Sequence, residues 1–171
     1  MRKIIFAFLI SFSVYLIGGC DKGIEPEPES STIPGQTGFS GKVTFVGNWQ
    51  SDIKLTVLVV CKNPFLTESD FSIPNISYVL GPIPAGVPEY EYSTDINDYS
   101  SYFTLAPGQY NYIVVMQSKK ETISLIRNDW TIVGVYSING DQTKPAQLNI
   151  VEGQMITDVN INVDFNHLPP Q

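Results

Sequence analysis

The sequence predicts an all-β domain, a single antiparallel β-sandwich of about seven or more strands. Three observations carry that prediction. Apolar residues recur with a period of two, not 3.6. Pro107-Gly108, Asn139-Gly140 and Glu152-Gly153 fall between apolar runs, where tight connections need residues that tolerate positive φ. No run has the length and caps of a good helix.

Taken in order, the runs are "GKVTFV" at 41–46 and "DIKLTVLVVCK" at 52–62. The second places Ile53, Leu55, Val57, Val59 and Cys61 on one face. Its other face begins polar, with Asp52, Lys54 and Thr56, and turns apolar at Leu58 and Val60, so its second half is expected to be covered on both sides. Further strands are expected at 75–80, 90–94, 99–105, 109–116, 122–126, 130–137 and 146–151. In "DVNINVDF" at 158–165, Val159, Ile161, Val163 and Phe165 alternate with Asp158, Asn160, Asn162 and Asp164, which predicts a strand with one wet face. "GPIPAGVP" at 81–88 holds three prolines that cannot donate ladder bonds, and it reads as an edge or a crossing loop.

Ahead of these strands the chain carries an address. Arg2 and Lys3 precede an apolar run over 4–17, which has the length of a signal-peptide core and is too short to span a membrane. Leu16, Ile17, Gly18, Gly19 and Cys20 close it, and this segment resembles the bacterial lipobox. The resemblance implies cleavage before Cys20 and attachment of diacylglycerol to its sulfur, with the palmitate-type acyl chains holding the protein to a membrane of the cell envelope. Ile17 stands where the lipobox usually has Leu. Two or three chains hold firmly, whereas one holds marginally. Asp21 resembles an inner-membrane retention signal, and the acidic stretch after it a surface-export signal, so either membrane of an envelope is compatible. The organisation expected is a signal peptide at 1–19, a lipidated cysteine with a flexible acidic, proline-rich tether at 20–36, the sandwich at 37–166 and a disordered tail at 167–171.

Composition narrows the partners. Removing residues 1–19 takes away Arg2 and Lys3 and no acidic residue, leaving eight basic residues against seventeen acidic ones, a net charge near −9. Nucleic acid is therefore not an expected partner, because phosphate binding needs a basic footprint. The partners expected are the membrane, through the lipid, and an envelope protein or a glycan. Lipidation of Cys20 leaves Cys61 without an internal partner, and Cys61 is expected to pack as a small apolar residue.

"SGKVTF", "LAPGQYNYIVV" at 105–115 and "WTIVGVY" at 130–136 resemble the carboxypeptidase regulatory-like, or transthyretin-like, sandwich of exported bacterial proteins. In that family a strand ending in Leu enters a Pro-Gly turn and the next strand opens on an aromatic. Leu105, Pro107, Gly108 and Tyr110 match. The resemblance implies a seven-stranded, two-sheet fold and a non-catalytic accessory or interaction module.

The residues give little chemistry to set against that expectation. The lone histidine, His167, lies in the tail, a poor place for a catalytic base. Nucleotide-loop, zincin and His/Cys zinc spacings are absent, and no cofactor is expected. Asp158, Asn160, Asn162, Asp164 and Asn166 look like a ligand cluster but lie ~7 Å apart along one strand face, too far to converge on calcium. Asp95, Asn97 and Asp98 form a weak metal candidate, with a plain turn favoured. Lys42 with Asn160 or Asn162 invites an intramolecular isopeptide bond, as in some transthyretin-like relatives, but all three are expected to face water. Tyr90, Tyr92, Tyr99 and Tyr102 form a candidate ligand surface, which leaves a carbohydrate-binding module as the alternative function. A carboxylate-dependent hydrolase is a colder one, requiring two acidic residues across a cleft.

Overall fold

Among the described residues the chain forms ten strands: β1 (Gly38–Val46), β2 (Leu55–Cys61), β3 (Ile76–Leu80), β4 (Glu89–Ser93), β5 (Gly108–Tyr110), β6 (Tyr112–Ser118), β7 (Trp130–Val135), β8 (Leu148–Ile150), β9 (Met155–Ile156) and β10 (Ile161–Asp164). The structure is a computed structural model that describes residues 36–94 and 105–171. All of them belong to the compact unit Ser31–Gln171.

The architecture is the all-β sandwich that the period of two predicts. One sheet has the order β10-β1-β4, with β9 also paired to β1; the other runs β3-β2-β6-β7, and β5 and β8 form a small ribbon. The second sheet is antiparallel throughout. The first is mixed, which corrects the all-antiparallel expectation. β9 and β10 run parallel to β1, with Val43 opposite Ile161 and Gly38 opposite Met155. A hairpin cannot join parallel neighbours, and here the rest of the domain makes the connection. The proline-rich segment 81–88 crosses from β3 in one sheet to β4 in the other, as its missing N–H donors suggest.

Both faces of the second sheet are covered. Leu58, Val60, Ile113, Val115 and Val133 face the first sheet and meet Val43, Ile161 and Val163. Val57, Val59, Val114, Met116 and Ile132 face outward beneath Phe71 and Trp130, with Phe65 and Ile123 half-buried beside them. Each fully buried aliphatic side chain contributes roughly 1.5–3 kcal/mol. Cys61 belongs to this outer layer; it is fully buried, and burial pushes its thiol pKa well above the ordinary value.

Four expected elements differ. Residues 122–126 are not a strand. They cross the outer face as a loop held by the Trp130 Nε1–H donating to the Ser124 carbonyl at 2.8 Å and by the Ser124 hydroxyl donating to Asp129 Oδ2 at 2.6 Å. The run 109–116 breaks at Asn111, whose backbone N–H and side-chain amide both donate to the Lys62 carbonyl, turning the chain from the ribbon into the second sheet. The run 158–165 enters the ladder only at Ile161, because Asp158 adopts a φ of 63°. Residues 167–171 are docked, not disordered. Pro169 is buried, and the Gln171 side-chain amide pairs with Ile132 on the edge of β7, accepting from its N–H at 3.1 Å and donating to its carbonyl at 3.0 Å. Gln142 likewise accepts from the Val135 N–H at 3.0 Å, so two glutamines occupy the edge of β7. Of the expected strand 99–105, only Leu105 is among the described residues.

The matched turn has a physical basis. Tyr110 is buried, and its hydroxyl donates to the Ala106 carbonyl at 2.7 Å, fastening the Pro107-Gly108 turn to the core in the manner of a tyrosine corner.

Candidate functional site

Among the described residues, two places bring polar groups to the apolar interior. The first is the bulge at 157–160, between β9 and β10. Gly41 of β1 faces it, and a Cβ there would collide with the Val159 carbonyl. The displaced backbone is repaired by side chains: the Tyr92 hydroxyl donates to the Val159 carbonyl, and Asn160 Oδ1 accepts from the Lys42 N–H at 2.9 Å. Lys42 Nζ pairs instead with Glu89 at 3.2 Å, at the surface, in keeping with the solvent-facing position expected of it.

This geometry corrects the tyrosine surface. Tyr92 is only 4% exposed and sits edge-on against Phe39, while Tyr90 is half-buried against the inner core. Two residues apart on one strand, both point inward, so they offer no exposed platform. Tyr99, Tyr102, Asp95, Asn97 and Asp98 lie outside the described residues, as do Leu16, Ile17, Gly18, Gly19 and Cys20. Asp158, Asn160 and Asn162 are exposed, and among the described residues no group of His, Cys, Asp and Glu is disposed to hold a metal. His167 is exposed; its Nδ1 lies 2.9 Å from Asp164 Oδ2, and this contact, with bonds from Asn166, holds the Asp164 carboxyl below the usual range.

The second place is a cleft of about 380 Å³ at the end of the sandwich where β6 finishes and β7 begins. There the inner face of the second sheet changes character. Leu58, Val115 and Val133 give way to Thr56, Gln117 and Thr131, neighbours across three strands. Ile53, Val133, Phe165 and Leu168 supply an apolar floor, with Phe165 backed by Trp49 at a ring separation of 5.2 Å. Asn48, Lys119, Lys120 and Asn128 stand at the rim.

Gln117 is the unusual member. It is only 3% exposed, and its only side-chain bond among the described residues runs from Nε2 to Thr56 Oγ1 at 3.3 Å. Whichever way the amide is turned, one of its polar ends has no protein partner among the described residues, and the residue lines the cleft. Buried polar atoms are normally satisfied, so this one points to an occupant, water or ligand. At the rim, Lys119 Nζ lies 2.6 Å from Asp52 Oδ2 and holds that carboxyl below its ordinary pKa by direct hydrogen bonding. Lys120 has no ion-pair partner among the described residues.

Sequence reasoning passed over this cleft. The polar start of the inner face of β2 is its one visible signal in the sequence, and Gln117 and Lys120 simply follow the apolar run that ends at Met116. The lining includes one carboxylate, Asp129, among the described residues, whereas paired-carboxylate hydrolysis needs two. Set against protein-family models, curated proteins and solved structures, the chain matches none.

Proposed function

We propose that this chain is a bacterial lipoprotein, held to a cell-envelope membrane by lipid on Cys20, whose sandwich is a non-catalytic binding or accessory module of the transthyretin-like kind. The observation that carries the reading is the sequence "LIGGC" at 16–20, at the end of a basic-then-apolar leader and ahead of an acidic, proline-rich stretch. The tyrosine-cornered turn at Leu105–Tyr110 positions supports the transthyretin-like part, since it explains why Leu105, Pro107, Gly108 and Tyr110 belong together. The inter-sheet cleft supports a binding role: it gathers amides, a hydroxyl, ammonium groups and one carboxylate beside apolar side chains.

The test is mass spectrometry of the N-terminal peptide from native cells, with crosslinking of the protein in those cells. A diacylglyceryl mass on Cys20, and an envelope protein or glycan captured by the wild type and lost with Cys20→Ala, is the expected result. An unmodified chain that still begins at Met1 overturns the anchor.

A further inference from the structure

We infer that the cleft between the sheets is a binding site for a small saccharide bearing a carboxylate. The inference is independent of the anchor. It starts from Gln117, a buried amide with a polar end free among the described residues, in a cleft also lined by Thr131, Asn48, Gln50 and Asn128 and by one carboxylate, Asp129, whose Oδ2 accepts from the Ser124 hydroxyl at 2.6 Å. Side-chain amides both donate and accept, which suits vicinal hydroxyls that do the same. Like Gln117's free end, the side chains of Thr131, Asn48 and Asn128 have no hydrogen-bond partner among the described residues.

The floor accounts for the rest of a sugar ring. Phe165 and Leu168 present an apolar surface against which the C–H face of a pyranose packs, and Trp49 behind Phe165 fixes the orientation of its ring. A purely apolar ligand would leave Gln117 unsatisfied, and a compact inorganic anion would leave the floor uncovered. The charge of the ligand follows from Lys120. In a chain with a net charge of −7, this ammonium stands at the rim without an acidic partner among the described residues, while its neighbour Lys119 is engaged by Asp52. A carboxylate on the sugar completes it. The volume, about 380 Å³, lies at the low end of ligand pockets and suits a small ligand.

The test is a titration of the full chain, carried in a sugar-free detergent, with glucuronate, galacturonate, N-acetylneuraminate and N-acetylmuramate, each paired with its methyl ester and with acetate as the anion control. The side-chain amide signals of Gln117 and the indole signal of Trp49 are followed by NMR at millimolar ligand. The expected result is that at least one acidic sugar shifts both signals, that its ester binds roughly tenfold more weakly, and that Lys120→Ala reproduces that loss. Gln117→Leu, or Gln117→Leu with Thr56→Val should the single variant be destabilised, abolishes the Trp49 indole shift, the one of the two signals that the variant retains, while the melting temperature is kept. Silence of both signals with every sugar overturns the inference. So does equal binding of acid and ester, or acetate alone producing the same shifts. None of these outcomes alters the mass expected on Cys20, so the anchor and the cleft fail separately.

Discussion

The bulge beside β1 and the cleft at the end of the sandwich pose the same physical problem and answer it oppositely. At the bulge, a break in the ladder exposes the Val159 carbonyl and the Lys42 N–H, and Tyr92 and Asn160 satisfy both. At the cleft, Gln117 is buried with one polar end unmet among the described residues. The gap at the bulge is closed within the fold, whereas the one at the cleft is where the proposed ligand would be met. The bulge ties β1 to the 157–160 segment and to β4 through these side chains.

The largest effect expected is at the bulge. Gly41→Val drives a side chain into the backbone of Val159, and a clash with main chain has no cheap relief. We expect a loss of about 4 kcal/mol or more, the range reserved for gross disruption, seen as a collapse of the urea midpoint. Next comes Tyr92→Phe, which removes only the hydroxyl and strands the Val159 carbonyl at a cost of roughly 1–3 kcal/mol. A Tyr92→Phe protein as stable as the wild type breaks the comparison, since the bulge is then not held by that bond.

At the cleft the sign reverses. Thr56→Val with Gln117→Leu replaces a weakly bonded buried pair by apolar groups of similar shape, which is neutral or stabilising by up to ~1 kcal/mol. Equilibrium unfolding of this double variant beside Tyr92→Phe is the direct contrast; a large destabilisation means that Gln117 belongs to the fold. The smallest effect concerns Asp164, whose bonds to Asn166 and His167 shape the approach to Leu168 at the cleft. Its folded pKa is lowered, so its contribution is present above the unfolded value of about 3.9 and is lost as pH falls through the lower folded one. Asp164→Asn is therefore expected to lower the melting temperature slightly at neutral pH, with the difference fading in strong acid. A difference that persists there means that the substitution acts through packing.

The same contrast explains what was legible in the sequence. Strands such as β2 and β6 declare themselves, because alternation along seven residues is a local property. The crossing loop at 81–88 declares itself through its prolines. The bulge does not: Asp158 adopts a left-handed conformation that its residue type tolerates but does not advertise. Residues 122–126 alternate like a strand, yet bonds made by Ser124, Asp129 and Trp130 fold them as a loop, and such bonds depend on the tertiary fold. The tyrosines misled because alternation gives a shared face without saying which face is dry. The cleft was hidden for a plainer reason. Thr56, Gln117 and Thr131 belong to three strands, and only the register of the second sheet makes them neighbours.

The parallel pairing of β1 with β10 also sets an order in time. Val43 and Ile161, partners in that ladder, lie at opposite ends of the domain's sequence, and the Lys42–Asn160 bond closes a separation of 118 residues. On a growing chain the central strand of the first sheet is made early and its neighbour late, so that sheet cannot close until synthesis has passed residue 164. Contacts of such long range make folding slow. A domain wired in this way keeps its first sheet open during elongation, after the last strand of the second sheet has already ended at Val135.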